Sequence, residues 1–221
     1  MILAQFALVA LIGYILGSIP FGVIIGRRAA RVDIRTMGSG KTGTTNVLRV
    51  AGKKAAGAVL LLDFAKGAVA VVIAGIIFGS TRFRIGEYAL LLAPSAQVLA
   101  AFAAIAGHSW PVFVKFKGGR GVATFFGGLI ALCPPAALFG GEVLIIGAGL
   151  TRYVSLGSIA GAVSSYAILA PLTIVNGFPP EYLLYALIGT IFIIVMHRDN
   201  ISRLLKGKER KLGEKVHQGN G

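Results

Sequence analysis

Three cations, Lys115, Lys117 and Arg120, fall within six residues and interleave with Gly118, Gly119 and Gly121, in the stretch GHSWPVFVKFKGGRGVAT at 107–124. Glycine tolerates positive φ and close backbone approach, so successive N–H groups can turn toward an anion while fixed cations reinforce the concavity. That combination suits a phosphate. The plainer reading is a basic loop held on one side of a membrane by its charge.

A second polar stretch, MGSGKTGTTNVLR at 37–49, supplies glycines, the hydroxyls of Ser39, Thr42, Thr44 and Thr45, the Asn46 amide and Arg49. It imitates a nucleotide-binding P-loop but fails on spacing. Arg35 stands where the first glycine is needed, and an apolar run precedes it instead of a strand. Its chemistry still fits a phosphate cradle; a flexible polar linker is the alternative. RYVSLGS at 152–158 places Ser155 and Ser158 where a helix begins, either an anion site or an ordinary cap. HRDN at 197–200 closes the last apolar run.

These segments need a scaffold, and composition says which. Of 221 residues, 56% are hydrophobic and 14% charged, too apolar for a soluble domain. The net charge of +14 could suit nucleic acid, but the cations lie between apolar runs rather than on one water-facing surface, so no nucleic-acid partner is expected. Spans are expected at 2–26, 55–79, 88–106, 122–133, 136–150, 154–175 and 182–196, with 122–150 either two short spans or a re-entrant hairpin. The first is read as a mature helix rather than a signal peptide, and its GSIPFG patch at 17–22 as a break facing protein or water, or a kink for packing. Asp63 and Lys66, three residues apart inside the second span, share a face and are read as a structural ion pair.

Nineteen of the 22 Lys and Arg residues then fall on one side, which makes that side cytoplasmic. The expected fold is an all-α polytopic membrane bundle of about seven transmembrane helices, N-terminus outside and C-terminus cytoplasmic. Residues 1–200 form one domain, with a short exterior loop from Ser80 to Glu87, and 201–221 a solvated or headgroup-facing basic tail that includes Lys215.

The chemistry is limited. Only His108 and His197 in these segments titrate near neutrality, and neither has an aspartate five positions on, since Phe113 and Ser202 stand there. There is no nucleophile elbow in a strand-to-helix setting. Cys133 is the single cysteine, no metal cluster is visible, and no cofactor is expected. A reaction that binds two phosphates beside a membrane remains. An organic-phosphate transporter would also want cations and broken helices, but no internal repeat is visible and the polar segments lie at one face.

The chain resembles the bacterial acyl-phosphate-dependent glycerol-3-phosphate acyltransferases called PlsY. The resemblance spans nearly the whole sequence and rests on GSIPFG, GSGKTGTTNVLR, LDFAKG at 62–67, the 107–124 stretch, RYVSLGS and HRDN. It implies acyl transfer from acyl phosphate to the 1-hydroxyl of glycerol 3-phosphate, giving lysophosphatidate and phosphate, the committed step of bacterial phospholipid synthesis. It also implies a multi-pass protein of the cytoplasmic membrane with its site facing the cytoplasm, in contact with membrane lipids and functionally coupled to an acyl-phosphate-producing enzyme. Carried over by motif, Ser39, Arg49, His197 and a central-loop cation, Lys117 or Arg120, resemble glycerol-3-phosphate ligands, with His197, Lys117 and Arg120 given the catalytic role. Gly40, Thr44, Thr45, Asn46, His108, Gly118, Gly119, Gly121, Ser155, Ser158 and Asn200 resemble the phosphate-binding cradle. The hydroxyl proton passes to a substrate phosphate oxygen, with His197 or His108 as the rival base. Lys41 and Thr42 depart from the family's usual asparagine and proline, Arg120 from a lysine and Asp199 from a glutamate.

Overall fold

The computed structural model describes residues 1–85 and 88–214; Glu87 and Lys215 lie outside the described residues. Helix α1 (Ile2–Ser18) stops where Ile19 turns extended before Pro20, and α2 (Phe21–Ala30) resumes at once. Proline has no N–H to continue the ladder and pushes the residue before it toward the extended region, so the break sits where GSIPFG places it. A 3-10 turn at Ile34–Thr36 leads to α3 (Thr44–Phe78), 35 residues interrupted by a left-handed Gly52 at φ 81°.

The chain next forms a hairpin, β1 (Arg82–Ile85) against β2 (Tyr88–Leu91), antiparallel. The third span therefore does not begin at Tyr88. Helix α4 (Ala93–Ser109) begins at Ala93 with Pro94 in its first turn, where the missing N–H costs nothing. Helices α5 (Val122–Leu132), α6 (Pro134–Thr151), α7 (Val154–Asn176) and α8 (Pro180–Met196) follow, and α9 (Arg198–Leu205) bends away from α8 by 59°.

Among the described residues five helical stretches are long and apolar enough to cross a membrane, or six if the bent α8–α9 pair counts as one span. The shortfall from seven lies in α5. Its 11 residues rise about 16 Å, half of a hydrocarbon core of about 30 Å. Cys133 breaks the helix there and Pro134 starts the next one.

Small residues let the helices meet backbone to backbone. A Cβ on Gly17 would stand 2.1 Å from the Ala104 carbonyl oxygen, joining α1 to α4; one on Gly127 would stand 1.9 Å from that of Phe64, joining α5 to α3. The largest core gathers Phe125, Leu129, Tyr185 and Ile193, with the Tyr185 hydroxyl donating to the Phe125 carbonyl at 3.0 Å. Leu3, Ile76, Leu150 and Ile174 stay on the outer surface, where lipid replaces protein as their partner.

Candidate active site

A half-open cavity of about 920 Å³ is lined by the 39–43 loop, α3, His108 of α4, Arg120–Gly121, α5, α6, α7, the α8–α9 bend and residues 209–212. Of the residues expected to bind or react, Ser39, Thr44, Thr45, Asn46, Arg49, His108, Arg120, Gly121, Ser155, Ser158, His197 and Asn200 all line it. Gly40, Lys117, Gly118 and Gly119 do not.

The separation of Lys117 from Arg120 has a backbone cause. Lys115 and Phe116 are both left-handed, with φ of 57° and 59°, and the turn sends Lys115, Phe116 and Lys117 to the surface. Arg120, past the glycine pair, reaches the cavity instead. Gly118 and Gly119 are spent on packing. Their N–H groups donate to the carbonyls of Ser109 at 3.2 Å and His108 at 3.1 Å.

The 37–49 segment is fixed before any ligand arrives. Asn46 donates through Nδ2 to the carbonyls of Ile34 (2.8 Å), Met37 (3.2 Å) and Lys41 (3.0 Å), while its Oδ1 accepts from the Ser39 N–H at 3.0 Å. A side chain so occupied shapes the loop rather than holding phosphate. Gly40, at φ 67°, supplies the turn. Arg35, anchored on Asp33 at 2.7 Å, donates to the Val114 carbonyl at 3.2 Å and so holds this segment beside the central loop.

Several polar atoms have no protein partner: Thr44 Oγ1, Arg49 Nε, Arg120 Nε and Asn200 Oδ1 are buried, unbonded, and belong to cavity-lining residues. Buried polar groups are normally satisfied, so the unpaired donors Thr44 Oγ1, Arg49 Nε and Arg120 Nε suit a ligand rich in acceptors, while the Asn200 oxygen can only accept. His197 is committed differently. Its Nδ1 donates to the Ile193 carbonyl at 2.8 Å, which leaves Nε2 as the unprotonated acceptor. Burial, and then the nearby Arg120 charge, pull its pKa down from 6.5 to about 4, so the ring is neutral at physiological pH.

Residues the sequence reading left in a solvated tail form a wall of this cavity. The Glu209 carboxylate accepts from Asn200 Nδ2, from Arg203 Nε at 2.7 Å and from Ser155 Oγ at 3.1 Å. Burial raises its pKa, but the Asn200 and Arg203 hydrogen bonds win and hold it ionised. Leu212 exchanges hydrogen bonds with Arg152, N–H to carbonyl at 2.7 Å and guanidinium to carbonyl at 3.0 Å, and Arg49 donates to the Arg210 carbonyl at 3.5 Å. The boundary at 200/201 thus falls inside α9. Glu209, an acid set among Lys206, Lys208, Arg210 and Lys211, was the available signal.

The other end of the cavity is largely apolar, walled by Leu60 and Phe64 of α3, Phe126 and Ile130 of α5, and Leu138 and Ile145 of α6, with the Glu142 carboxylate among them. From Gly149 to Ala137 it follows α6 for about 18 Å. Anion-binding groups at one end and a lipid-sized groove at the other make room for an amphipathic phosphate.

Known proteins match this picture. The family model described as glycerol-3-phosphate acyltransferase matches residues 7–207. Glycerol-3-phosphate acyltransferase 3 of Dehalococcoides mccartyi strain CBDB1 is 60% identical over 216 residues, 98% of this chain and all of that one. The glycerol-3-phosphate acyltransferase of Brucella anthropi is 44% identical over 92% of this chain and 91% of its own. Crystal structures of PlsY, an integral membrane glycerol 3-phosphate acyltransferase, in its glycerol 3-phosphate and lysophosphatidic acid forms superpose with TM-scores of 0.80 and 0.79 at 37% identity. Both cover 94% of this chain, and 96% and 95% of their own. With the match running across nearly its entire length, the chain belongs to the glycerol-3-phosphate acyltransferase family and is an integral membrane acyltransferase.

Proposed function

We propose that the acyl donor is a long-chain acyl phosphate, that the acceptor is the 1-hydroxyl of glycerol 3-phosphate, and that the products are lysophosphatidate and inorganic phosphate. The carrying observation is a cavity that joins the unpaired Nε groups of Arg49 and Arg120 at one end to a largely apolar groove at the other. The related PlsY structures, solved in glycerol 3-phosphate and lysophosphatidic acid forms, support the acceptor and the product.

In the proposed reaction Arg49, Arg120 and Ser39 hold the glycerol phosphate and Thr44 and Thr45 the donor's phosphate, while Ser155 and Asn200, which donate to Glu209, and Ser158, which donates to the Val154 carbonyl at 2.8 Å, shape the wall behind it. The two arginines offset the repulsion between two anions brought side by side, a positioning and electrostatic role. The acceptor oxygen attacks the acyl carbon, the bond from that carbon to the bridging phosphate oxygen breaks, and the electron pair leaves with phosphate. A neutral His197 with pKa about 4 orients the hydroxyl by accepting its hydrogen bond at Nε2 but is too weak a base to take the proton at pH 7. The proton goes to a phosphate oxygen of the substrate. The basic segments 27–54 and 107–121 support a reading in which the polar end of the cavity faces the cytoplasm from a bacterial cytoplasmic membrane.

The test uses purified protein in detergent with palmitoyl phosphate and glycerol 3-phosphate, following phosphate release and lysophosphatidate formation, with Arg120→Ala as control. Product from the wild type and not from the variant is the expected result. No product from either, with glycerol 3-phosphate uptake into proteoliposomes, would replace this reading with a transporter. A cysteine placed at Lys53 and labelled by an impermeant maleimide only in inverted vesicles would fix the orientation.

A further inference from the structure

Asp63, Lys66 and His108 form a buried ionic cluster that the reaction above does not use. Asp63 and Lys66 lie on α3 with Oδ1 and Nζ 2.8 Å apart, and Nδ1 of His108, at the end of α4, lies 3.5 Å from the same oxygen. All three are at most 5% exposed. An ion pair alone would need only two of them, and burying a third titratable group is costly unless it is put to use.

The cluster ties α3 and α4 to the α1–α2 break, to the start of α5 and to the central loop. Lys66 Nζ donates to the Ile19 carbonyl at 3.3 Å, in the break between α1 and α2. Thr124 Oγ1, in the first turn of α5, donates to the Asp63 carbonyl at 3.0 Å. His108 is the direct link to the loop. Its carbonyl accepts the Gly119 N–H at 3.1 Å, and its Nε2 lies 2.1 Å from where a Gly119 Cβ would stand. A Cβ on Gly118 would stand 2.1 Å from the His108 carbonyl oxygen. The glycine pair is thus laid onto the histidine, one ring nitrogen facing Asp63 and the other facing Gly119. Arg120 is the next residue, and its Nε is the unpaired buried donor.

We infer that Asp63 and His108 are positioning residues for the glycerol 3-phosphate site: Asp63 sets the His108 ring, and the ring and carbonyl of His108 set the 118–121 backbone that aims Arg120 into the cavity. The inference rests on the reading of Arg120 as a substrate-phosphate ligand. It gives His108 no contact through Nε2 with substrate and no part in proton transfer. A misplacement of about 1 Å at such a ligand costs on the order of 10²-fold in efficiency.

The two amide variants of His108 separate the possibilities, because Asn places its N–H group near the position of Nδ1 and Gln near that of Nε2. In steady-state assays with saturating palmitoyl phosphate, His108→Gln raises the KM for glycerol 3-phosphate about tenfold or more and leaves kcat within about threefold. His108→Asn, which keeps the contact with Asp63 but gives up the Nε2 face against Gly119, raises KM by less than His108→Gln does. Asp63→Glu, which keeps the charge beside Lys66 but moves it relative to His108, raises KM in the same sense and stands in for His108→Gln if that variant does not fold. Rescue by Gln rather than Asn would make His108 a direct ligand through Nε2 and overturn the inference. Loss of kcat at unchanged KM would make it the base, and an unchanged KM in the folded variant would remove the positioning role. Absence of wild-type product would instead sink the acyl-phosphate reading itself.

Discussion

Gly127→Ala is the sharpest structural test of how the site is held. The added Cβ would stand 1.9 Å from the Phe64 carbonyl oxygen and 2.7 Å from its carbon, both backbone atoms of α3 that cannot rotate aside. Real Cβ contacts do not fall below 3.0 Å, so α3 and α5 must part by at least about 1.1 Å. Arg49 rides on α3 and Arg120 immediately precedes α5, so opening this seam moves the two guanidinium groups apart. A displacement near 1 Å lowers kcat/KM by on the order of 10²-fold, and the overpacking costs about 1–3 kcal/mol of stability. The assay is acyl transfer by protein that elutes as a single folded species, with thermal melting in the same detergent. Gly147→Ala is the control, since its Cβ would meet only the Gly157 Cα at an ordinary 3.4 Å. Wild-type efficiency and melting for Gly127→Ala would refute the claim that this seam sets the geometry of the site.

Other consequences are smaller but equally direct. His197 lies beyond the end of α8 with a folded pKa of about 4 against 6.5, so the folded state refuses a proton that the unfolded chain accepts. Stability is complete above pH 6.5 and falls by about 3 kcal/mol as pH drops from 6.5 to 4. His197→Gln removes that part of the pH dependence, read as a narrowing gap between the two proteins' melting curves at low pH. Asn46→Asp sets a carboxylate against the Ile34, Met37 and Lys41 carbonyls; at about 1–3 kcal/mol per lost partner it unravels the 37–49 loop, seen as faster proteolysis at Lys41 and a raised KM. Glu209→Gln keeps the shape but removes the charge facing Arg203, so residues 206–214 are cut by trypsin sooner than in wild type, while glycerol 3-phosphate protects both.

Much of the architecture was legible because local chemistry and packing agree. GSIPFG broke the first helix where its proline stands, the Pro134–Pro135 pair fell at the joint between α5 and α6, and Asp63 paired with Lys66 as a three-residue spacing implies, whereas Pro94, expected inside a span, opens α4. The hairpin at 82–91 was not legible, since YALLL reads equally as strand or as the start of an apolar helix. Choosing between Lys117 and Arg120 required two left-handed residues, Lys115 and Phe116, at positions where no glycine announces the turn. Asn46 was recognisable as polar and important, but its four partners come from residues 34–41 and exist only once the loop is folded. Glu209 was hidden for a related reason. A carboxylate among lysines reads as solvated charge until Ser155, 54 residues earlier, is seen to meet it.

That last contact also orders events in time. Residues 209–212 follow every spanning helix in the chain, yet they form the wall against Ser155, Arg49 and Arg152. While a ribosome is still feeding the chain into the bilayer, α3 and α7 are in place but the cavity stays open on that side. The cavity wall is therefore completed only by residues that leave the ribosome after α8. An interrupted nascent chain would sit in the membrane without consuming activated fatty acid.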